Sequence, residues 1–224
     1  MSEPLQVQGM VLSSMPIGEN DKRIVFLTRE LGRISAFARG ARRPGSTLMA
    51  VSEPPVFGSF SLIQGKSSYS LVQASAREYF RELTQEETGL YYGYYFLEFA
   101  DYYGREGIEA TDMLNLLYLS IRALLHRQLD NRLVRRVYEL RLMSINGEYG
   151  LQGQELSGGA QYTAQYIMRA PLEKLYTFTV TPEILKELED MLDRHMDRMM
   201  DRPLRSRKIL DEMTEIRHGG CTDE

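Results

Sequence analysis

Between Arg23 and Arg39 the chain alternates in two runs, Arg23–Thr28 and Arg33–Arg39, joined by a turn carrying Gly32. A repeat of two is the mark of strands, whose successive side chains point to opposite faces. The second run therefore puts Arg33, Ser35, Phe37 and Arg39 on one face and Ile34, Ala36 and Ala38 on the other. It then opens into the arginine-rich loop Gly40-Ala41-Arg42-Arg43-Pro44. Cations flanking an aromatic on the outer face of a small sheet suit a single strand of nucleic acid. The cations neutralise phosphates, and the ring offers a base something to stack on. The plainer alternative is a solvated face with one ring tucked under a neighbour.

Three more strands surround this pair. Leu5–Met15 mixes apolar residues with Gln6 and Gln8 and ends in the turn cluster Pro16-Ile17-Gly18-Glu19-Asn20-Asp21. Pro54-Pro55 opens Val56–Ile63, and Gln64-Gly65-Lys66-Ser67-Ser68 turns into Tyr69–Ala74. Five short strands at close spacing predict a small closed barrel or sandwich, and five strands suit an OB-fold. The loop from Gly40 to Pro54 is long by barrel standards. Its Gly40…Gly45 spacing imitates a phosphate-cradling loop, but Ser46 stands where that motif needs lysine and no helix signal follows.

From Thr84 onward the period becomes helical. Tyr91, Tyr92, Tyr94, Tyr95, Phe96, Phe99, Tyr102 and Tyr103 crowd one helix and go most of the way round it, so it is buried on several sides. Thr111-Asp112 caps the next helix, and Asn131 is the N-cap expected for another. In that helix Arg132, Arg135 and Arg136 share a face. The default reading is a solvated face, and the alternative is a docking site for an acidic partner segment, because guanidiniums pair with carboxylates. Gly147–Gly153 is a glycine-spaced connector, and a short helix over 159–169 stops before Pro171. Thr181-Pro182 starts a helix running to about Asp201, and Pro203 precedes a last one. Asp193, Asp197 and Asp201 alternate with Arg194, Arg198 and Arg202, which reads as surface ion pairs and not as a metal site.

Charge is unevenly placed. The chain carries a formal net charge of −4, yet Met1–Phe80 holds nine Lys/Arg against six Asp/Glu. Seven of those nine fall between Asp21 and Arg43, against two acids, and such asymmetry is a better clue to an anionic partner than the total. A single cysteine, Cys221, rules out an intramolecular disulfide and a cysteine-based zinc cage, and it fits a reducing cytosol. No run approaches the ~18 consecutive apolar residues of a membrane span, and no signal-peptide pattern is visible. His126, His195 and His218 are isolated, and no nucleophile, dinucleotide or kinase signature occurs. Catalysis has no support in the sequence.

Ordered segments at both ends resemble one family. They are Gly18-Glu19-Asn20-Asp21-Lys22, Phe26–Ile34, Ala38–Pro44 and Glu53-Pro54, then Ala170–Leu175 and Asp201–Ser206. Together they are similar to the RecO-type DNA repair and recombination mediators of bacteria. The resemblance implies an α+β protein, with an N-terminal five-stranded OB-fold barrel followed by an all-helical domain. It also implies binding of single-stranded and double-stranded DNA, strand annealing, contact with single-strand-binding protein, and recombinase loading together with RecR. Many members carry a four-cysteine zinc ribbon between helices. Here the corresponding interval, Leu142–Ser157, is short and holds no cysteine, so the expectation is no metal and no cofactor.

The organisation expected is a nucleic-acid-binding barrel over 1–80, a helical domain over 81–216 and a flexible tail over 217–224. Lys22, Arg23, Arg33, Arg39, Arg42 and Arg43 are the expected phosphate track, Phe37 the stacking ring, and Arg132, Arg135 and Arg136 the expected dock for single-strand-binding protein. The expected location is the bacterial cytoplasm, in association with the nucleoid. Two other readings use the same residues: an OB-fold interaction scaffold that does not bind nucleic acid, and an RNA-binding module.

Overall fold

Alternation in the first 80 residues becomes a barrel. In a computed structural model, which describes residues 3–66, 68–85, 87–148 and 155–219, five strands close on one another. They are β1 (Leu5–Ile17), β2 (Asp21–Thr28), β3 (Gly32–Ala38), β4 (Phe57–Gln64) and β5 (Tyr69–Glu78), in the spatial order β1-β2-β3-β5-β4. All neighbours are antiparallel except β3 and β5, which run parallel through Ala36–Tyr69 and Phe37–Ser70. This five-stranded closed barrel is the OB-fold that the strand count suggested.

Its interior follows from the period of two. Ile24, Phe26, Ile34, Ala36, Phe60, Leu62 and Leu71 fill it, and the Phe26 and Phe60 rings meet at 4.7 Å between centroids. Several residues of the long loop become a short helix, α1 (Leu48–Val51), whose Leu48 and Val51 join the same core.

The chain divides into two compact units, Met1–Arg81 with Ala100–Tyr118, and Glu82–Phe99 with Leu119–Glu224. Residues 100–118 thus fold with the barrel, beyond the 1–80 span expected for it. A loop in this segment pairs with the β2–β3 turn. Arg33 N donates to Arg105 O at 3.1 Å, Gly107 N to Leu31 O at 2.9 Å and Ala110 N to Arg29 O at 2.9 Å. Tyr118 adds a hydrogen bond to Glu78 at 2.8 Å and packs on Phe57.

The second unit is helical. Helices α2 (Glu87–Tyr103) and α3 (Thr111–Leu124) each contribute part of their length to it, followed by α4 (Asn131–Ile145), α5 (Gly158–Arg169), α6 (Pro182–Met199) and α7 (Arg205–Gly219). The α4 cap is Asp130 rather than the expected Asn131, and its carboxylate accepts from Arg132 N at 2.8 Å. Thr181 caps α6 with Pro182 at the first helical position, as its sequence predicts. Tyr95, Phe96 and Phe99 are fully buried and Tyr138 packs among them, so this part of the aromatic stripe is core. The last helix runs to Gly219, into the span expected to be tail. Residues 149–154 of the glycine-spaced connector and 220–224 of that tail lie outside the described residues. No described helix is long and apolar enough to cross a membrane.

Candidate nucleic-acid interface

The β2–β3 pair carries the arrangement the sequence anticipated. Burial along β3 alternates strictly: Ile34, Ala36 and Ala38 face the core, while Arg33, Ser35 and Phe37 are half-buried on the outer side. Register then extends the outer face beyond one strand. Met15 on β1 is the partner of Arg23 on β2, Arg23 is the partner of Phe37 on β3, and Phe37 is the partner of Ser70 on β5. Paired residues share a face of the sheet, so Met15, Arg23, Phe37 and Ser70 form one row across four strands. Arg23 is exposed, and its Nε donates to Ser35 Oγ at 2.8 Å, which lays the guanidinium along the row.

The arginine loop leaves the end of β3, two residues beyond Phe37. Arg39, Arg42 and Arg43 are exposed. The loop is tied to the β1–β2 turn by Arg42 N donating to Asn20 O at 2.9 Å, and by Arg42 Nη1 donating to Gly18 O at 2.9 Å. Asp21, at the start of β2, accepts from Gly40 N at 2.8 Å. Gly40 itself sits at φ +67°, a backbone conformation that L side chains rarely adopt. Arg23, Arg39, Arg42 and Arg43 form no ion pair among the described residues, so their charge is available to a ligand.

Two expected members of the track are spent elsewhere. Lys22 faces inward: it is buried, its Nζ donates to Ser52 Oγ at 3.1 Å, and it forms an ion pair with Glu53. The reason is parity, because Lys22 precedes outward Arg23 and so falls on the side of Ile24's neighbours in the core. Arg33 does point outward, but its Nε donates to Asp101 Oδ1 at 2.6 Å and its stem packs over Gly104. It fastens residues 100–118 to the barrel. Sequence reading missed Met15 and Ser70 on the outer face, since only strand register aligns them with Phe37, and it missed exposed Val72, which the β4–β5 register skips at a bulge.

The helical arginines are neither a solvated face nor an open cationic dock. Arg135 and Arg136 are buried around the fully buried Glu139: Arg135 Nε and Arg136 Nη1 each donate to its carboxylate at 2.8 Å, and Tyr95 Oη donates at 2.5 Å. Arg136 also holds Asp193 through two bonds of 2.9 Å, Arg135 holds Asp211 at 2.7 Å, and Arg132 grips Glu189 with two bonds of 2.9 and 2.8 Å. Burial pushes the Glu139 carboxyl up, but Arg136, Arg135 and the hydrogen bonds from Tyr95 and Arg135 outweigh it and hold the group at about 2. These guanidiniums are neutralised within the unit. Asp193 and Asp197 take their partners from other elements too, both bonding Arg207 of α7 rather than the neighbouring arginines on α6. Among the described residues, no group of three or more His, Cys, Asp or Glu could hold a metal ion.

Comparison with known proteins agrees with this architecture. The family model for the N-terminal part of recombination protein O matches residues 1–80, and the model for its C-terminal part matches 87–152 and 150–208. The two pieces of the second match meet inside the interval where a ribbon would stand. A protein from Moorella thermoacetica, named DNA repair protein RecO, is 27% identical over 244 residues, covering 93% of this chain and 91% of its own. That alignment is longer than this chain of 224 residues, so the relative carries residues this chain lacks. Proteins of the same name from Acetivibrio thermocellus and Alkaliphilus metalliredigens are 24% and 32% identical, covering 88% and 64% of this chain. The Alkaliphilus match spans 58% of that relative's length, whereas the Acetivibrio match spans 92%. With both family models matched in order along the chain, and the second alone covering more than half of it, this chain belongs to the recombination protein O family.

Proposed function

We propose that this protein acts in DNA repair as a recombination mediator: it binds DNA through the outer face of its barrel, anneals complementary strands, and helps load recombinase onto single strands coated by single-strand-binding protein, together with RecR. The observation that carries the reading is the cross-strand row of Arg23 and Phe37, continued by Arg39, Arg42 and Arg43. Four cations without an internal acid stand around one half-buried ring, which is the composition of a single-strand track. Family membership and the relatives' name as DNA repair proteins support the same role. The protein works by binding and needs no catalytic group of its own. A cytoplasmic, nucleoid-associated location follows from that role.

The helical arginines have no part in this proposal. Their charge is matched by Glu139, Glu189, Asp193 and Asp211, so an acidic tail would have to displace carboxylates already in place.

The test is fluorescence anisotropy of the full chain with labelled single-stranded DNA across a salt series. Four phosphate contacts predict a log–log slope of about −3. Arg39→Ala combined with Arg42→Ala removes two of them and should flatten the slope by about 1.4, equally for every base sequence. Absence of binding at low salt would instead leave the barrel as a protein-interaction scaffold.

A further inference from the structure

The outer face holds apolar side chains that the phosphate track does not use. Met15 is 55% exposed and Val72 is 46% exposed, more than Leu5 and Met49 at 39% each, the other exposed large apolar residues described among the first 80. Single exposed apolar residues are ordinary on a protein surface. These two stand on the same face as Phe37. Met15 is linked to Phe37 through Arg23 in register. Val72 is the next outward residue after Ser70, since Tyr69 and Leu71 face the core. Because β3 and β5 run parallel, Val72 lies on the side toward which β3 leads to Arg39. Strand spacing makes the row from β1 to β5 about 14 Å long, which is more than one ring can cover.

We infer that Met15 and Val72 extend the Phe37 platform into an apolar row that takes the bases of an unpaired DNA strand, and that this row sets a preference for single strand over duplex. The inference rests on the DNA-binding reading above and adds to it which form of DNA the face selects. The occupant follows from charge and chemistry together. Arg23 lies within the row, and Arg39, Arg42 and Arg43 adjoin it, so the ligand must present anions beside apolar planes. An unpaired strand does so, because its bases are free to leave their neighbours and stack. A duplex offers phosphates to the same arginines but keeps its base faces stacked inside, leaving Met15 and Val72 nothing to cover. The arginines therefore serve both forms of DNA, and the apolar row serves one.

The experiment compares the full-length protein with Met15→Gln, Val72→Thr and the double variant. Both substitutions keep size, and both sites are exposed, so melting temperature serves as a check on folding. Each protein is titrated at one low salt concentration with a labelled oligothymidine and with a hairpin duplex of equal length. The double variant should bind the single strand about tenfold more weakly, bind the duplex within about twofold of the parent, and keep the parent's salt slope. Equal losses on both DNAs, or no loss on the single strand, would overturn the inference while leaving the DNA-binding reading intact. A parent protein that binds neither DNA would overturn both.

Discussion

Arg33 and Asp101, 68 residues apart, meet through Arg33 Nε and Asp101 Oδ1 at 2.6 Å within the barrel unit. The contact is half-exposed on the arginine side and more enclosed on the carboxylate side. It is the side-chain counterpart of the backbone pairing between the β2–β3 turn and residues 105–110. A track arginine in the sequence is a fastener in the fold.

That assignment predicts a separation of effects. Asp101→Asn and Arg33→Ala should each lower the unfolding free energy by about 1 kcal/mol, the usual scale for a partly screened charged hydrogen bond. Urea denaturation measures it. Neither substitution should change the salt slope of DNA binding. A slope flattened by about 0.7 in Arg33→Ala would return Arg33 to the phosphate track.

How far the sequence foretold the fold depends on how local each signal is. The barrel was legible because alternation is written residue by residue, and because Gly32 and the Gly18 turn set the strand ends. The inward position of Lys22 was written there too, in its parity with Ile24, but a run of cations drew attention to charge rather than to facing. The fate of Arg135 and Arg136 was only partly local. Their spacing to Glu139 on α4 is i,i+4 and i,i+3, but the burial of all three and the outer acids on α6 and α7, 57 and 76 residues away, belong to the packing of other helices. The row from Met15 to Ser70 was hidden for the same reason, since it exists only in the pairing of four strands.

Gly32 is fixed by two constraints at once. It sits at φ +67°, and a Cβ placed there would lie 2.1 Å from Arg105 O and 2.4 Å from Ile108 O, both backbone atoms that cannot swing aside. Gly18 has a similar φ of +56° but open space around it. Gly18→Ala should therefore cost only the conformational penalty of about 1 kcal/mol. Gly32→Ala adds a clash with the 105–108 backbone and should cost on the order of 3 kcal/mol or more. Thermal melts of the two variants compare them directly. Equal costs would mean that the 105–108 loop yields freely, and that its pairing with the turn contributes little.

Glu139 should make the protein acid-sensitive in a defined window. Its carboxyl is held at about 2 in the fold, against an ordinary value of 4.5. A group depressed in this way contributes stability that is full above the unfolded value and is lost as pH falls toward the folded one. The loss should therefore accumulate between about pH 4.5 and pH 2, and should be on the order of 3 kcal/mol for this group. Glu139→Gln removes the titration and also leaves Arg135 and Arg136 without their shared anion. Because both guanidiniums are buried, that variant should be destabilised by about 3 kcal/mol at pH 7. Its stability should then fall less steeply than the parent's on acidification. Urea unfolding at pH 7, 4 and 3 distinguishes the two contributions. If the variant and the parent lost stability in parallel from pH 4.5 downward, the acid sensitivity would not belong to Glu139.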